Sequence, residues 1–121
     1  MPAPAPPFTG DALLAAVTEA MVGLHERYHH RSPASAHTQL IDDELLACVM
    51  GGVYTNLEKT MIELEQRVVV RETRSTFQSA MRETFVGEVQ RLSGRHVRAF
   101  MSQSHVGPDL EVELFLLDPA A

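Results

Sequence analysis

Apolar residues recur every three or four positions near the start of the chain. Leu13, Val17, Ala20, Met21, Leu24 and Tyr28 fall on one stripe, the signature of an amphipathic helix. Asp11 is placed to cap its start, and Pro33 stops the chain just beyond its end. The period then changes. His37–Ile41 and Glu44–Met50 read as two short strands joined by a tight turn at Asp42-Asp43. The second run is apolar at both parities, with Leu45, Ala47 and Val49 on one face and Leu46, Cys48 and Met50 on the other. Such a strand belongs in the middle of a sheet with both faces covered. Only three helices are predicted, so one face is left for another copy of the chain.

Gly51-Gly52 ends this strand, and Thr55-Asn56-Leu57-Glu58 has the form of a capping box. In that motif a hydroxyl accepts from the amide three residues on while the carboxylate reaches back. A short helix should run to about Glu65. Val68-Val69-Val70 could be a strand, but Val70, Phe77, Met81, Phe85, Val89 and Leu92 continue as one helical stripe, with Gly94 placed to terminate it. Two further strands are predicted at His96–His105 and Leu110–Asp118, joined by Val106-Gly107-Pro108-Asp109. In the last of them Leu110, Val112, Leu114 and Leu116 alternate with Glu111 and Glu113, the pattern of a half-buried strand. The expected fold is α+β, in the order α-β-β-α-α-β-β, with a four-stranded antiparallel sheet packed against helices. Residues 1–8 read as a disordered Pro/Ala-rich tail, 9–118 as a single domain and 119–121 as a C-terminal tail.

Composition narrows the function classes. At 121 residues there is room for one core and not two. A formal charge of −6 argues against a general nucleic-acid binder. From Arg67 to Arg98 the arginines outnumber the acids, which reads either as a solvated, mixed-charge helix face or as a docking patch for an acidic partner. Cys48 is alone, in an apolar stretch, and is expected to be a buried, inert thiol. Met1–Phe8 lacks the basic start and apolar centre of a secretory signal. The longest apolar stretch, Leu45–Tyr54, falls short of the ~20 residues that span a bilayer. A cytoplasmic protein that does not span a membrane is the expectation.

One motif points to chemistry. His25-Glu26-Arg27-Tyr28-His29 is a literal H-E-x-x-H on a predicted helix. Residues four apart share a helix face, so two imidazoles can reach one zinc while the Glu activates its water. The extended form of the motif fails, because Ser32 stands where its Gly should be and Ser35 where its third His should be. His37 and Glu44 supply no natural third ligand. The apolar stripe puts His25 at its edge and His29 toward solvent, in a last turn where imidazolium also suits the helix dipole. No glycine-rich phosphate loop is present. Ser102, Ser104, His105 and Asp109 could be assembled into a triad, but nothing marks an activated serine. Arg74 falls at the margin of the long helix's stripe, where it is either an arginine snorkelling from the core edge or, with Arg71, part of an anion site.

Several segments recur in a specific order: His30-Arg31-Ser32-Pro33, Leu40-Ile41-Asp42-Asp43, Tyr54-Thr55 with Glu58, and Val70-Arg71-Glu72-Thr73-Arg74. They continue with Leu92-Ser93-Gly94-Arg95 and Val97, then Pro108-Asp109-Leu110 leading into Glu113-Leu114-Phe115-Leu116-Leu117. Over residues 11–118 the chain resembles the MpsC family, small bacterial domains named after a component of a sodium-translocating, membrane-potential-generating system. In that family's pattern glycines stand where His30 and Ser32 stand here. The resemblance implies no established reaction or ligand, only an association with membrane ion or inorganic-carbon handling. The leading expectation is a non-enzymatic interaction or regulatory module without a cofactor. It would be homodimeric through the sheet or the long helix and would bind a protein partner such as a membrane complex. The alternatives are a metal-dependent hydrolase using His25, His29 and Glu26, and a small-anion sensor using Arg71 and Arg74; Arg31 is a further candidate for binding a ligand or partner.

Overall fold

The computed structural model describes residues 5–120. Residues 1–4 of the expected N-terminal tail, and residue 121 of the C-terminal one, lie outside the described residues. The elements follow in the order α1 (Gly10–His29), β1 (Ser35–Ile41), β2 (Leu45–Gly51), α2 (Asn56–Glu63), α3 (Arg67–Ser93), β3 (Val97–His105) and β4 (Leu110–Leu117). The four strands form one antiparallel sheet in the order β1-β2-β4-β3. The α+β order and the sheet read from the sequence are the observed ones. β2, apolar on both faces, takes an interior position beside β4.

α1 lies over β1 and α3 over β3, packed side by side on the same face of the sheet. Between them and the sheet sit Leu13, Val17, Met21, Leu46, Met50, Phe85, Val89, Phe115 and Leu117, all buried. Fully burying one such side chain contributes roughly 1.5–3 kcal/mol. The rings of Phe85, Phe100 and Phe115 join in sequence, with centroids 6.1 and 5.0 Å apart. Cys48 is buried among them as a free thiol. Phe8, assigned to the tail by its composition, packs on this core and donates its amide to Leu92 O at 2.7 Å.

Several local details differ from expectation. Thr9, not Asp11, is the N-cap of α1. The buried stripe of that helix runs Leu13, Val17, Met21, His25, while Tyr28 is 44 % exposed. A strict four-residue step drifts around the helix and carries the stripe onto His25, off Tyr28. β4 is the larger reversal. Its buried parity is Glu111, Glu113, Phe115 and Leu117, and the Leu110, Val112, Leu114, Leu116 set faces the other way. Alternation reveals that two faces differ but not which one meets the helices. Here Phe115 pairs across the sheet with both Leu46 and Phe100, and that aromatic anchor turns the acids inward with it.

Turn chemistry fixes the connections. Asp42 and Asp43 both take left-handed conformations, with φ of 52° and 55°, as a two-residue hairpin turn requires. Arg95 clamps this turn from the other end of the chain, donating to Asp43 O at 2.6 Å and to Asp118 O at 2.8 Å. The capping box of α2 is complete, with Thr55 N to Glu58 Oε1 at 2.9 Å and Glu58 N to Thr55 Oγ1 at 3.1 Å. Gly94 ends α3 at φ 65°, where a Cβ would meet Pro7 at 2.9 Å.

At the end of α1 the left-handed residue is His30, at φ 58°. This is a position that favours glycine, and the family pattern's glycine has a plain physical reason here. His30→Gly should therefore raise stability by up to about 1 kcal/mol, visible as a melting temperature a few degrees higher. An unchanged or lower value would mean that the imidazole contributes more than its backbone conformation costs.

Candidate functional site

A 27-residue helix such as α3 must place something at every fourth position of its inner stripe. Between Val70 and Gln78 that residue is Arg74, only 5 % exposed. A guanidinium cannot lose its charge in a protein, so a dry layer tolerates it only with ionised partners. Glu58 provides two bonds, from Nε to Oε2 at 2.7 Å and from Nη2 to Oε1 at 3.2 Å. Asp109 Oδ1 and Glu111 Oε1 each lie 3.5 Å from Nη1. The guanidinium also sits over the Tyr54 ring, 4.8 Å from its centroid. Burial pushes the Glu58 carboxyl up, but its bonds to Arg74 and Thr55 outweigh this and hold it below the ordinary carboxylate range.

The same cluster ties the loops together. Asp109 Oδ2 accepts from Tyr54 N at 2.7 Å, and the Tyr54 hydroxyl accepts from Gly107 N at 2.9 Å. Gly52, at φ 64°, lets its amide reach Asp109 O at 3.2 Å, and a Cβ there would lie 2.4 Å from Ala34. Arg31 reaches over from the end of α1 to donate to Tyr54 O at 2.5 Å. Arg31 and Arg74 therefore converge on one residue, Tyr54. Arg71, one turn before Arg74, is exposed and lines a separate trough between α3 and β3 with Ser75, Gln78, Ser102, Ser104 and His105.

The H-E-x-x-H residues lie beside the cluster. His25 and His29 do share a face, with ring centroids 4.6 Å apart, and His29 in turn packs on Phe77 at 4.6 Å. His25 is buried, not at the stripe's edge, and its Nε2 has no partner. Burial, helped by the nearby charges of His29 and Arg74, pulls its pKa down to about 4, so the ring is neutral at pH 7. Burial lowers His29 as well. The Glu26 carboxylate is held by the Ser32 hydroxyl. Among the described residues no group of three His, Cys, Asp or Glu side chains converges as a metal set.

Two acids missed at the sequence level complete the site. Glu111 and Glu113 point inward on β4. Burial raises Glu111, against the pull of Arg74. Burial pushes Glu113 up to about 8 against the opposing pull of the Ser102 hydroxyl, so it is largely protonated at pH 7. The available signal was Phe115-Leu116-Leu117, since Phe115 and Leu117 share the parity of the two acids. Glu58 was visible only as a helix cap. Its role as the partner of Arg74 depends on a contact sixteen residues away.

Chemically the arrangement has no activated nucleophile and no open pair of donors. It is a charged keystone joining α1, α2, α3 and the β3–β4 turn. Most segments that carry the family resemblance end here, through Arg31, Tyr54, Thr55, Glu58, Arg74 and Asp109. Comparison with known families bears the resemblance itself out: the family described as Na+-translocating membrane potential-generating system (MpsC) matches residues 9–119. The chain belongs to the MpsC family. Comparison with curated proteins and with solved structures returned no match.

Removing the guanidinium leaves buried carboxyls uncompensated. Arg74→Met should destabilise by on the order of 3–5 kcal/mol in urea melts, with Arg74→Lys recovering only part because it loses the forked bond to Glu58. A loss below about 1 kcal/mol would remove Arg74 from the keystone role.

The two shifted groups also set the pH profile. Glu113 keeps its proton in the native state between its ordinary 4.5 and about 8. The unfolded chain releases it there, so stability falls as pH rises through that window, by on the order of 3–5 kcal/mol. Glu113→Gln should flatten this alkaline limb. His25 acts oppositely: between 6.5 and about 4 the unfolded chain binds the extra proton, so stability falls as pH drops. Melting temperatures taken from pH 4 to 9 on Glu113→Gln and the parent check each sign, the acid limb being kept in the variant.

Proposed function

We propose that this MpsC-family protein is a cytoplasmic, non-enzymatic interaction or regulatory module that works as a homodimer and binds a protein partner in membrane ion or inorganic-carbon handling. One observation carries the dimer. The sheet face turned away from the helices holds Ile41, Leu45, Ala47, Val49, Val112, Leu114, Leu116, Ala99 and Met101, in register across all four strands. The other positions of that face are Ser35, His37, Gln39, Gly51, Leu110, Gln103 and His105; apart from Arg98, set in the β3 bulge at one end and paired with Glu44 and Asp118, the four strands place no Asp, Glu, Lys or Arg on it. In a chain that is 21% charged, a face of this size whose fixed charge is confined to one end is a surface made to be covered.

A second copy suits it. Strands of seven to nine residues at about 3.3 Å per residue, four abreast at about 4.8 Å, give a face of roughly 500 Å² in projection. With side-chain relief this approaches the roughly 800 Å² per partner of a stable interface. Two such faces would pack about 10 Å apart as a sandwich. A lipid surface fits less well, because the net charge of −6 opposes anionic headgroups. The partner reading rests on the family's description, which names a Na+-translocating membrane system. No described helix is long and apolar enough to cross a membrane, so the chain's part in such a system would be peripheral. α2 and the start of α3, where Leu57, Leu64, Val68 and Val69 are exposed, stay outward in the dimer.

Light scattering at micromolar concentration should give a mass near twice 13.4 kDa. Leu114→Glu, at the centre of the face beside Ala47 and Met101, should give a monomer with unchanged helical circular dichroism. A parent protein that is strictly monomeric at that concentration overturns the dimer.

A further inference from the structure

Besides His25 Nε2, the buried polar atoms without partners among the described residues lie together at the inner face of β4 and its neighbour β3. Glu113 is 1 % exposed, and its Oε2 makes no hydrogen bond. Its cross-strand neighbour Ser102 has a buried Oγ that lies close enough to act on the Glu113 carboxyl but makes no hydrogen bond of ordinary geometry. Two orphans side by side are rare, because each such group costs about 1–3 kcal/mol. One rung further along the same face, Ser104 Oγ receives Gln78 Nε2 at 3.1 Å and lies 3.5 Å from Glu111 Oε1. No described donor reaches the carbonyl oxygen of Gln78. Ser102, Ser104 and Gln78 also line the trough of about 350 Å³ between α3 and β3, which opens to solvent.

We propose that Glu113, Ser102, Ser104 and Gln78 form a binding site for a small monovalent cation of the sodium kind, entered through the α3–β3 trough. The donor set is oxygen throughout, which suits hard cations and not zinc or copper. One carboxylate balances one unit of positive charge, whereas a divalent ion would be left over-charged in a dry layer. The groups facing Glu113 leave that balance intact. Glu111, on the same strand, is drawn to Arg74. Arg74, on α3, is itself forked to Glu58. Cys48 faces it from β2, with a thiol that burial pushes up and so keeps neutral. A proton can satisfy the carboxylate in the absence of the ion, so the two compete for the same oxygen.

The test is a thermal melt at pH 9, where Glu113 gives up its proton, at fixed protein concentration and ionic strength. Sodium chloride is compared with choline chloride, whose cation is too large for the site. In sodium at ten times the dissociation constant the melting temperature should rise by roughly 5 °C, saturating with concentration. Glu113→Gln, the neutral isostere of the protonated residue, should fold and lose the sodium response, and Ser102→Ala should weaken it. Equal melting temperatures in the two salts overturn the proposal. So does a sodium response that survives undiminished in Glu113→Gln.

Discussion

A single buried guanidinium organises this molecule. Arg74 cannot be neutralised, and α3 carries it to the inside of the layer whether or not partners exist. Everything that surrounds it answers that demand: Glu58 from the first turn of α2, Asp109 from the β3–β4 turn, Glu111 from β4 and the Tyr54 ring from the loop after β2. The interior is thereby divided. One end of the helix–sheet layer is aromatic and aliphatic, built on Phe85, Phe100 and Phe115, and the other is charged and hydroxyl-rich. A well-packed apolar replacement of such a cluster is often no less stable. Its use lies in fixing how four elements meet, since each partner comes from a different segment.

The second constraint is the inversion of β4. Because Phe115 and Leu117 belong to the core, Glu111 and Glu113 are inside and a row of leucines and valines is outside. The two halves of the functional reading follow from this one choice of parity. The outward leucines make the apolar face, and the inward acids make the polar interior. A one-residue slip of β4 against β2 would exchange the two sets and abolish both features.

Much of the fold was legible because its signals are local. The capping box at Thr55–Glu58, the Asp42-Asp43 turn, the Gly94 stop and the 3.6-residue stripe of α3 each depend on residues a few positions apart. The site was less legible because its contacts are not. Arg74 reads as a core-edge arginine until Asp109, thirty-five residues on, is brought beside it. His25 looked peripheral because Tyr28 is the larger apolar residue, yet its ring is what the four-residue step of α1 buries. The H-E-x-x-H spacing did place both imidazoles on one face, as helix geometry requires. What it could not supply was the neighbourhood, where Arg74, Arg31 and His29 already contribute positive charge. Two-parity apolarity in β2 correctly marked a central strand, while the sides of the sheet were settled only by where the helices lie.

The pairing of β2 with β4 has a consequence for how the chain reaches this structure. The two hairpins, β1–β2 and β3–β4, can each form early from neighbouring sequence. They join only when β2 meets β4, and even the nearest pair, Gly51 with Leu110, closes a loop of roughly 60 residues that contains α2, α3 and β3. Until that loop closes, β2 and β4 are bare edges, each with its pairing partner missing. Folding is therefore slowest at the step that completes the sheet, and that interval is when chains at high concentration are most prone to associate wrongly.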